Sequence, residues 1–346
     1  MVAPQPAAGW QGRPFARRGA LACLLLTVAA FAPKAGAQTV ALHGTTLARF
    51  ATAEEGSRLL GTRDAFVAAM SAYDRAARTG RSGTVSEKDF VEFAAAQALD
   101  WEPAEAGKIT ASVAKIKANI ARLRLPFPPE VLLIKTTGHE EAGTPYTRGN
   151  AIILPRQILE VAPAELERVI THEIFHVISR HFPELRKALY AIVGFRDCGP
   201  LVAPPELAAR RITNPDAPDD RYCITLERNS PPSTSSLTYY PVLFAEEDAF
   251  DPAAAGTYLD RLKFRLLAVT RENGRWIAQR AGTGLVLQDA DSVPEYAAAI
   301  GLNTRYIIHP EEILADNFEL LVRGGRRVRT PRILEELQRV LAERQN

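Results

Sequence analysis

Apolar and polar positions recur along this chain with two different periods, which together predict an α+β fold. Residues 47–125 carry apolar side chains three and four positions apart among Ala, Glu and Arg, the spacing of helices that bury one face. The apolar run EVLLIKTT at residues 130–137 predicts a strand, and residues 146–154 predict a second. Residues 163–180 then have a helical pattern, and a further helix is expected to reach Tyr190.

The second half of the chain mixes loop, strand and helix patterns. Residues 198–235 are rich in Pro, Asn, Asp and Ser, which indicates loops. Residues 238–245 predict a strand, and residues 263–280 predict a hairpin because an Asn-Gly pair lies at their centre. Two amphipathic helices are expected at residues 310–321 and 331–344.

The first 37 residues have the layout of a cleaved secretory signal. Three arginines precede an apolar run at residues 20–32, and Ala35-Gly36-Ala37 supplies the small residues of a cleavage site. The run is shorter than the roughly 20 residues that a transmembrane helix needs. We therefore expect cleavage between Ala37 and Gln38 and a periplasmic or secreted protein without stable membrane insertion. An uncleaved membrane anchor is the alternative.

Charge and cysteine content narrow the expected partners and compartment. The chain has 42 basic and 40 acidic residues, and four of the basic residues lie in residues 1–37. The remainder therefore has 38 basic and 40 acidic residues, with no excess of positive charge that would attract nucleic acid. Two cysteines, Cys198 and Cys223, lie beyond the expected cleavage site. We predict a disulfide between them, worth about 3 kcal/mol in the chain-entropy model, with two free thiols as the alternative.

The stretch ITHEIFHVISRH at residues 170–181 contains the pattern H-E-x-x-H. On a helix, His172 and His176 lie on one face and can bind the same ion, while Glu173 can reach a water on that ion. The flanking positions are apolar, so the helix is expected to be buried, where these three polar side chains would be costly without partners. A metal ion removes that cost, and we predict one Zn²⁺ per chain.

A third protein ligand is needed if the fourth position of the zinc is to hold water. His181 comes nine residues after His172, but no glycine follows His176 to permit a turn back to the ion. His181 is therefore not expected to be the third ligand. The acids Glu246 and Glu247 are closer in sequence than the candidate preferred below, but they lie beside turn residues and have no aspartate spaced four positions away. They are therefore the second choice.

The better candidate is the stretch YIIHPEEILADNFELL at residues 306–321, where Glu312 and Asp316 are four positions apart on one helix face. A glutamate followed one turn later by an aspartate resembles the third-ligand helix of gluzincins such as thermolysin. That resemblance implies that Glu312 is the third zinc ligand and that Asp316 accepts a hydrogen bond from a ligand imidazole. Alternatively, Glu312 is a solvated acid in a first helical turn, and Glu311 is expected at the surface.

Residues 170–181 also resemble the active helix of zinc peptidases related to the CAAX-prenyl protease and its periplasmic relatives, and they fit predicted bacterial metallopeptidases. The matching positions are His172, Glu173, His176, Val177, Arg180 and His181. The resemblance implies a zincin-like domain with a small mixed sheet that ends in an edge strand, an active-site helix and a C-terminal ligand helix. We accordingly expect a signal peptide at residues 1–37, a helical N-terminal region at 38–125 and a zinc metallopeptidase domain at 126–346 with an insertion at about 195–300.

These ligands predict a hydrolytic mechanism. Glu173 would take a proton from a zinc-bound water and pass it to the leaving amine. Tyr306 and His309 are candidate donors to the oxyanion and Arg180 is a further one, although each could instead have a packing or surface role. In gluzincins the strand before the active helix is usually a sheet edge that pairs with extended substrate, and that resemblance implies the same role for residues 146–154 here. The substrate-contacting residues are expected to be Tyr146, Arg148 and Asn150.

The expected function is that of an exported zinc metallopeptidase that acts on a peptide or protein substrate. A catalytically degenerate zinc-binding interaction protein is one alternative, although the intact Glu173 argues against it. A zinc hydrolase of a non-peptide amide or ester is another, because the same residues would serve that reaction.

Overall fold

The computed structural model describes residues 38–230, 233–325 and 328–343, and the expected signal peptide at residues 1–37 lies outside the described residues. Helices combine with mixed and antiparallel sheets, which confirms the α+β class. The strands are β1 (Thr39–His43), β2 (Thr46–Phe50), β3 (Ala98–Leu99), β4 (Glu130–Thr136), β5 (Tyr146–Arg148), β6 (Ala151–Pro155), β7 (Phe195–Asp197), β8 (Tyr222–Ser230), β9 (Ser233–Ala245), β10 (Leu262–Glu272), β11 (Arg275–Ala278), β12 (Arg280–Ala281), β13 (Gly284–Leu285) and β14 (Leu287–Gln288). The α-helices are α1 (Ala53–Leu60), α2 (Ala65–Ala69), α3 (Ala72–Thr79), α4 (Glu87–Ala95), α5 (Pro103–Ile120), α6 (Pro163–His181), α7 (Pro183–Ile192), α8 (Pro205–Ala208), α9 (Tyr258–Arg261), α10 (Pro294–Ile300), α11 (Pro310–Arg323) and α12 (Pro331–Glu343).

One sheet is mixed and ends at a short edge strand. Its order is β1-β2-β4-β6-β5, with β2, β4 and β6 parallel to one another and β1 and β5 antiparallel to their neighbours, while β3 also pairs with β4. The single strand predicted at residues 146–154 is a hairpin of β5 and β6, because Gly149 has a φ of 60° and turns the chain between them. The edge position therefore belongs to the three residues of β5.

The start of the described chain differs from the prediction of a helical region at residues 38–125. The hairpin of β1 and β2 occupies residues 39–50 and extends the mixed sheet through the parallel pairing of β2 with β4. In β2, buried positions alternate with more exposed ones, the period of a strand with one buried face, and Gly44 turns the chain with a φ of 52°. Helices α1–α5 follow, as the spacing of apolar residues predicts.

The second large sheet is built from the stretch expected to be an insertion. Its order is β11-β10-β9-β8-β7, all antiparallel, and β14 also pairs with β10. The strand predicted at residues 238–245 and the hairpin at 263–280 are confirmed. The prediction of loops at residues 198–235 is wrong for β8 and the start of β9. Alternate apolar residues of β8, namely Tyr222, Ile224 and Leu226, are buried in the main core.

The predicted disulfide between Cys198 and Cys223 is present. It joins the segment that follows β7 to β8, across 25 positions of the sequence. Throughout the described ranges, every helix is too short or too polar to span a bilayer.

Helix α6 packs against α5, α7, α11 and the strands β5 and β6. Pro163 occupies its first turn, where a fixed φ and a missing N–H cost nothing. The helix buries Ile170, Ile174 and Val177 among other apolar residues. The helices predicted at residues 163–180, up to Tyr190, and at 310–321 and 331–344 are confirmed. Because α6 lies against α11, the two stretches expected to carry the site are neighbours.

The side chains of Tyr146 and Asn150, which were expected to bind substrate, make contacts within the fold. The ring of Tyr146 is buried in an apolar cluster with Ala151 and Ile153, and its hydroxyl donates to Glu140 Oε1 at 3.4 Å. The side-chain amide of Asn150 donates to the carbonyl of Glu130 at 2.8 Å. Both side chains are thus used to fix the hairpin in the sheet.

Arg148 is also used by the fold rather than exposed to a substrate. Its guanidinium is buried and donates to the carbonyls of Leu60 at 2.9 Å and Thr62 at 2.7 Å, and to the carboxylate of Asp64 at 2.8 Å. These three acceptors lie at the end of α1 and the N-cap of α2. Arg148 therefore ties the edge strand to the N-terminal helices.

We expect Arg148→Ala to lower the free energy of unfolding by about 2–4 kcal/mol, because it leaves two carbonyls and a carboxylate without their donor. Urea unfolding followed by circular dichroism measures this change. Arg58→Ala is the control: the Arg58 side chain is 70% exposed on α1, so its loss should change stability by no more than about 0.5 kcal/mol. Unchanged stability of Arg148→Ala together with weaker peptide binding would instead restore the substrate role.

Candidate metal centre

Helices α6 and α11 bring the H-E-x-x-H histidines and Glu312 together. Glu312 Oε2 lies 3.2 Å from His172 Nε2 and 3.6 Å from His176 Nε2. Two ligand atoms bound to one tetrahedral zinc at 2.0–2.1 Å would lie about 3.3 Å apart. Glu312 Oε2 therefore lies at about the distance from each of the two imidazole nitrogens that shared binding of one metal ion requires.

A carboxylate orients each imidazole through its other ring nitrogen. Asp316 Oδ1 lies 3.0 Å from His172 Nδ1, and Glu311 Oε1 lies 2.9 Å from His176 Nδ1. Such contacts fix the orientation of a metal-binding histidine and leave Nε2 for the ion. Both Nε2 atoms are thus held near Glu312.

The acids themselves are held by further donors. Thr304 donates to Asp316, while Ser179 donates to Glu311 at 2.6 Å and Tyr190 donates to the same Glu311 oxygen. The amide of Asn214 donates to Glu312 Oε1 at 2.6 Å. Each carboxylate that touches an imidazole therefore has a fixed position in the described structure. Ser179 follows the motif on α6, whereas Thr304, Tyr190 and Asn214 come from other parts of the chain.

Glu311 was expected at the surface, and that prediction is wrong. Its side chain is buried between α6 and α7, where it contacts His176. A signal in the sequence could have indicated this, since Glu311 shares a helix face with Leu314, Ala315 and Phe318, all of which are buried.

Two polar atoms in the cluster have no hydrogen-bond partner among the described residues. They are Glu173 Oε2 and His176 Nε2, both inaccessible to solvent. An unsatisfied buried polar atom costs about 1–3 kcal/mol, so a pair of them in one site needs an explanation. Ligand atoms of His172, Glu173 and His176 lie within 4.8 Å of one another. A cation among them would satisfy the free imidazole nitrogen.

Charge in the cluster is unbalanced towards the negative. Burial opposes a positive charge on His176, but the charges of Asp216 and Glu312 outweigh it and raise the pKa to about 9. Burial and then the charge of Asp216 raise the pKa of Glu173 to about 8. Burial also opposes a charge on His172, yet hydrogen bonds to Asp316 and Glu312 raise its pKa well above the usual value. Without a metal, protons on both histidines thus offset the acids. The carboxylates of the cluster belong to Glu173, Asp216, Glu311, Glu312 and Asp316.

A cavity of about 170 Å³ opens onto this cluster. Its lining includes His172, Glu173, Glu312 and Tyr306 together with the apolar side chain of Leu259. The Tyr306 ring lies 6.4 Å from that of His172 and at 26° to it. Tyr306 is therefore placed beside the candidate ligands, where its hydroxyl could donate to a bound molecule.

His309 and Arg180 are not among the residues that line this cavity. The His309 imidazole accepts a hydrogen bond from the backbone N–H of Glu311 and so caps α11, while its ring contacts Tyr190. The expected oxyanion role of His309 therefore does not fit its position. Arg180 donates to the carbonyls of Pro215 and Asp216 and holds that loop.

The second choice for a third ligand lies elsewhere. Glu246 and Glu247 are exposed and face Lys263 and Arg261, each at 3.6 Å. His181 contacts the ring of Phe182 at the end of α6. None of these three residues lines the cavity at the cluster.

Asp216 is a member of the cluster that the sequence did not indicate. Ligand atoms of His176, Asp216 and Glu312 lie within 4.8 Å of one another. Asp216 belongs to a stretch expected to be loop without chemistry, 40 positions from His176. No local spacing links it to either helix, so only the fold reveals it.

The comparisons with known proteins assign no family to this chain. No family model, no curated protein and no solved structure matches it. The class that fold and site define is accordingly an α+β protein whose buried histidines and glutamates could hold a metal ion.

Zinc binding at pH 7 should release about three protons per ion, because both histidines and Glu173 hold protons in the metal-free protein and a cation favours their deprotonated forms. The apparent affinity should therefore rise with pH and fall as acid re-protonates the imidazoles. Calorimetric titrations in two buffers of different ionisation enthalpy measure the released protons.

His176→Gln should abolish this binding, whereas His139→Gln should leave it unchanged, because His139 is exposed away from the cluster. Zinc uptake by His176→Gln with the affinity of the unmodified protein would place the ion elsewhere.

Proposed function

We propose that this chain is an exported zinc metallopeptidase that hydrolyses peptide bonds. The observation that carries the proposal is that Glu312 Oε2 lies close to both motif histidines, 3.2 Å from His172 Nε2 and 3.6 Å from His176 Nε2. Glu173 lines the same cavity and is the general base that this motif provides. Two imidazoles and one carboxylate form a ligand set that is common in catalytic zinc sites.

His172, His176 and Glu312 would hold the zinc ion. When bound, zinc supplies a Lewis acid that polarises a carbonyl and lowers the pKa of water. A cation there would also favour the ionised form of Glu173, whose pKa burial raises to about 8 in the metal-free chain. Oε2 of Glu173 would then accept a proton from the attacking water, and Glu173 would deliver that proton to the leaving nitrogen.

The walls of the cavity support a peptide as substrate. Tyr306 could donate its hydroxyl to the oxygen that gains charge during attack, beside His172. Apolar side chains of Pro145, Val169 and Leu259 line the same cavity and would accept an apolar substrate side chain. The adjacent β5 is a sheet edge, which could bind extended peptide backbone without regard to sequence.

Export is part of the proposal and has separate support. Residues 1–37 have the composition of a secretory signal, and the disulfide of Cys198 and Cys223 suits an oxidising compartment such as the periplasm or the medium. The proposed substrate is thus a protein or peptide met outside the cytoplasm.

Purified protein should contain one zinc ion and cleave casein or a labelled peptide. Glu173→Gln should keep the zinc but lose activity by at least about 100-fold, because only the proton acceptor is removed. Glu312→Ala should lose the zinc. Zinc content by atomic emission and the rate of peptide cleavage are measured on the same samples.

Glu335→Gln is the matched control, since Glu335 is an exposed glutamate on α12 and should change neither quantity. Zinc retention by Glu312→Ala would show that Glu312 is not a ligand. Full activity of Glu173→Gln would contradict the mechanism, and hydrolysis of esters or non-peptide amides alone would indicate the other hydrolase.

A further inference from the structure

A half-buried loop segment at residues 213–216, here called the cleft segment, lies between the edge strand and the candidate metal ligands. The amide of Asn214 donates to Glu312 Oε1 at 2.6 Å. Asp216 Oδ1 accepts hydrogen bonds from the backbone N–H and the hydroxyl of Thr147, both at 2.7 Å. One short segment therefore contacts both a proposed zinc ligand and β5.

The carboxylate of Asp216 is within reach of the metal. Its ligand atom and those of His176 and Glu312 lie within 4.8 Å of one another, so a shift on the order of 1 Å suffices for shared coordination. Both hydrogen bonds from Thr147 go to Oδ1, which leaves Oδ2 for a cation. The buried Nε2 of His176, which has no partner among the described residues, belongs to the same group. The donor set around that nitrogen thus includes an aspartate beyond the three proposed ligands.

Asp216 also takes the place that a substrate backbone would need on β5. The strand has only three residues, and hydrogen-bonding direction alternates along an antiparallel strand. The N–H of Thr147 donates to Asp216 instead of to β6, so it is the outward-facing donor of this edge. A peptide that added to β5 would have to displace Asp216 from that donor.

The cleft segment is anchored firmly rather than lying loosely over the site. Arg180 Nη2 on α6 donates to the carbonyls of Pro215 at 3.0 Å and Asp216 at 3.1 Å. On α3, Arg78 donates to the carbonyl of Thr213 at 2.6 Å. The N-terminal region and the active-site helix thus hold the segment from two sides.

The N–H of Thr213 adds a further tie to α3. It donates to Asp74 Oδ2 at 2.8 Å, and Asp74 forms a buried ion pair with Arg78 at 2.7 Å. Breaking a buried, hydrogen-bonded pair is costly, so the segment does not leave the cleft without a rearrangement of these contacts.

We propose that Asp216 is a fourth protein ligand of the zinc and that the cleft segment holds the proposed peptidase in a latent state. The inference rests on the proposed function. Four protein ligands leave no position for a water, so the unmodified enzyme cleaves slowly, through the small fraction of molecules in which Asp216 has left the metal and Thr147. The N-terminal helix α3 and Arg180 would then control access to the site through their contacts with the segment.

Asp216→Asn tests this directly, because a neutral amide provides no anionic ligand to the metal and is a weaker acceptor for Thr147 than a carboxylate, so both contacts of the latent state are weakened. We expect its zinc affinity, measured by competition with a chromophoric chelator, to be at least about tenfold weaker, and its peptide cleavage to be at least about tenfold faster. Asp219→Asn is the matched control, since Asp219 is an exposed aspartate three residues further on and should change neither value.

A second measurement needs no variant at this position. The protein loaded with Co²⁺ in place of zinc should keep its visible spectrum when acetohydroxamate is added, because the coordination shell is already filled by protein. The Co²⁺ form of Asp216→Asn should respond to acetohydroxamate. An immediate spectral change in the unmodified protein would overturn the proposal, even if Asp216→Asn fails to fold.

The outcomes separate this inference from the proposed function. If the unmodified protein binds zinc and its cleavage depends on Glu173, but Asp216→Asn has the same affinity, spectrum and rate, then only the role of Asp216 is wrong. If the unmodified protein binds no zinc, both proposals fail together.

Discussion

The burial of several carboxylates beside two imidazoles, between α6 and α11, is the constraint on which the rest of this structure depends. Charges are stable in a protein interior only when other charges and hydrogen bonds compensate them. Here Asp316 and Glu311 each hold one histidine, and Thr304, Ser179, Tyr190 and Asn214 hold the acids in turn. Protons on the histidines satisfy part of the charge, and a divalent cation would satisfy more of it while it also bound the free nitrogen of His176.

The packing of helices α6 and α11 positions the histidines and glutamates of this cluster. The apolar face of α6 packs on α5 and on the strands β5 and β6, which fixes the rotation of the helix and so the direction of His172 and His176. Helix α11 supplies two adjacent glutamates to two different tasks, because Glu311 faces His176 Nδ1 while Glu312 lies near both Nε2 atoms. The stretch at residues 195–300 adds an antiparallel sheet and, in the loop before β8, the residues that reach into the cleft.

Local patterns predict much of this fold, and they fail where distant segments meet. The periodicity of α6 and α11 and the four-residue spacings within them are local, so the helices and the closeness of His172 to His176 follow from the sequence. The helix face of Glu311 indicates its burial, but its partners Tyr190 and Ser179 lie on other helices, and the position of Asp216 depends on Arg180 and Thr147. Arginine is usually exposed, yet Arg148 is buried because three acceptors at the end of α1 and the start of α2 bind its guanidinium. No spacing within the sequence encodes such contacts.

The most direct test of the central claim is a crystal of the zinc-loaded protein, with diffraction measured on both sides of the zinc absorption edge. The account predicts one anomalous peak at about 2.0–2.2 Å from His172 Nε2, His176 Nε2 and a carboxylate oxygen of Glu312. A peak that is not bound by all three of these residues, or no peak in the cleft between α6 and α11, would contradict it.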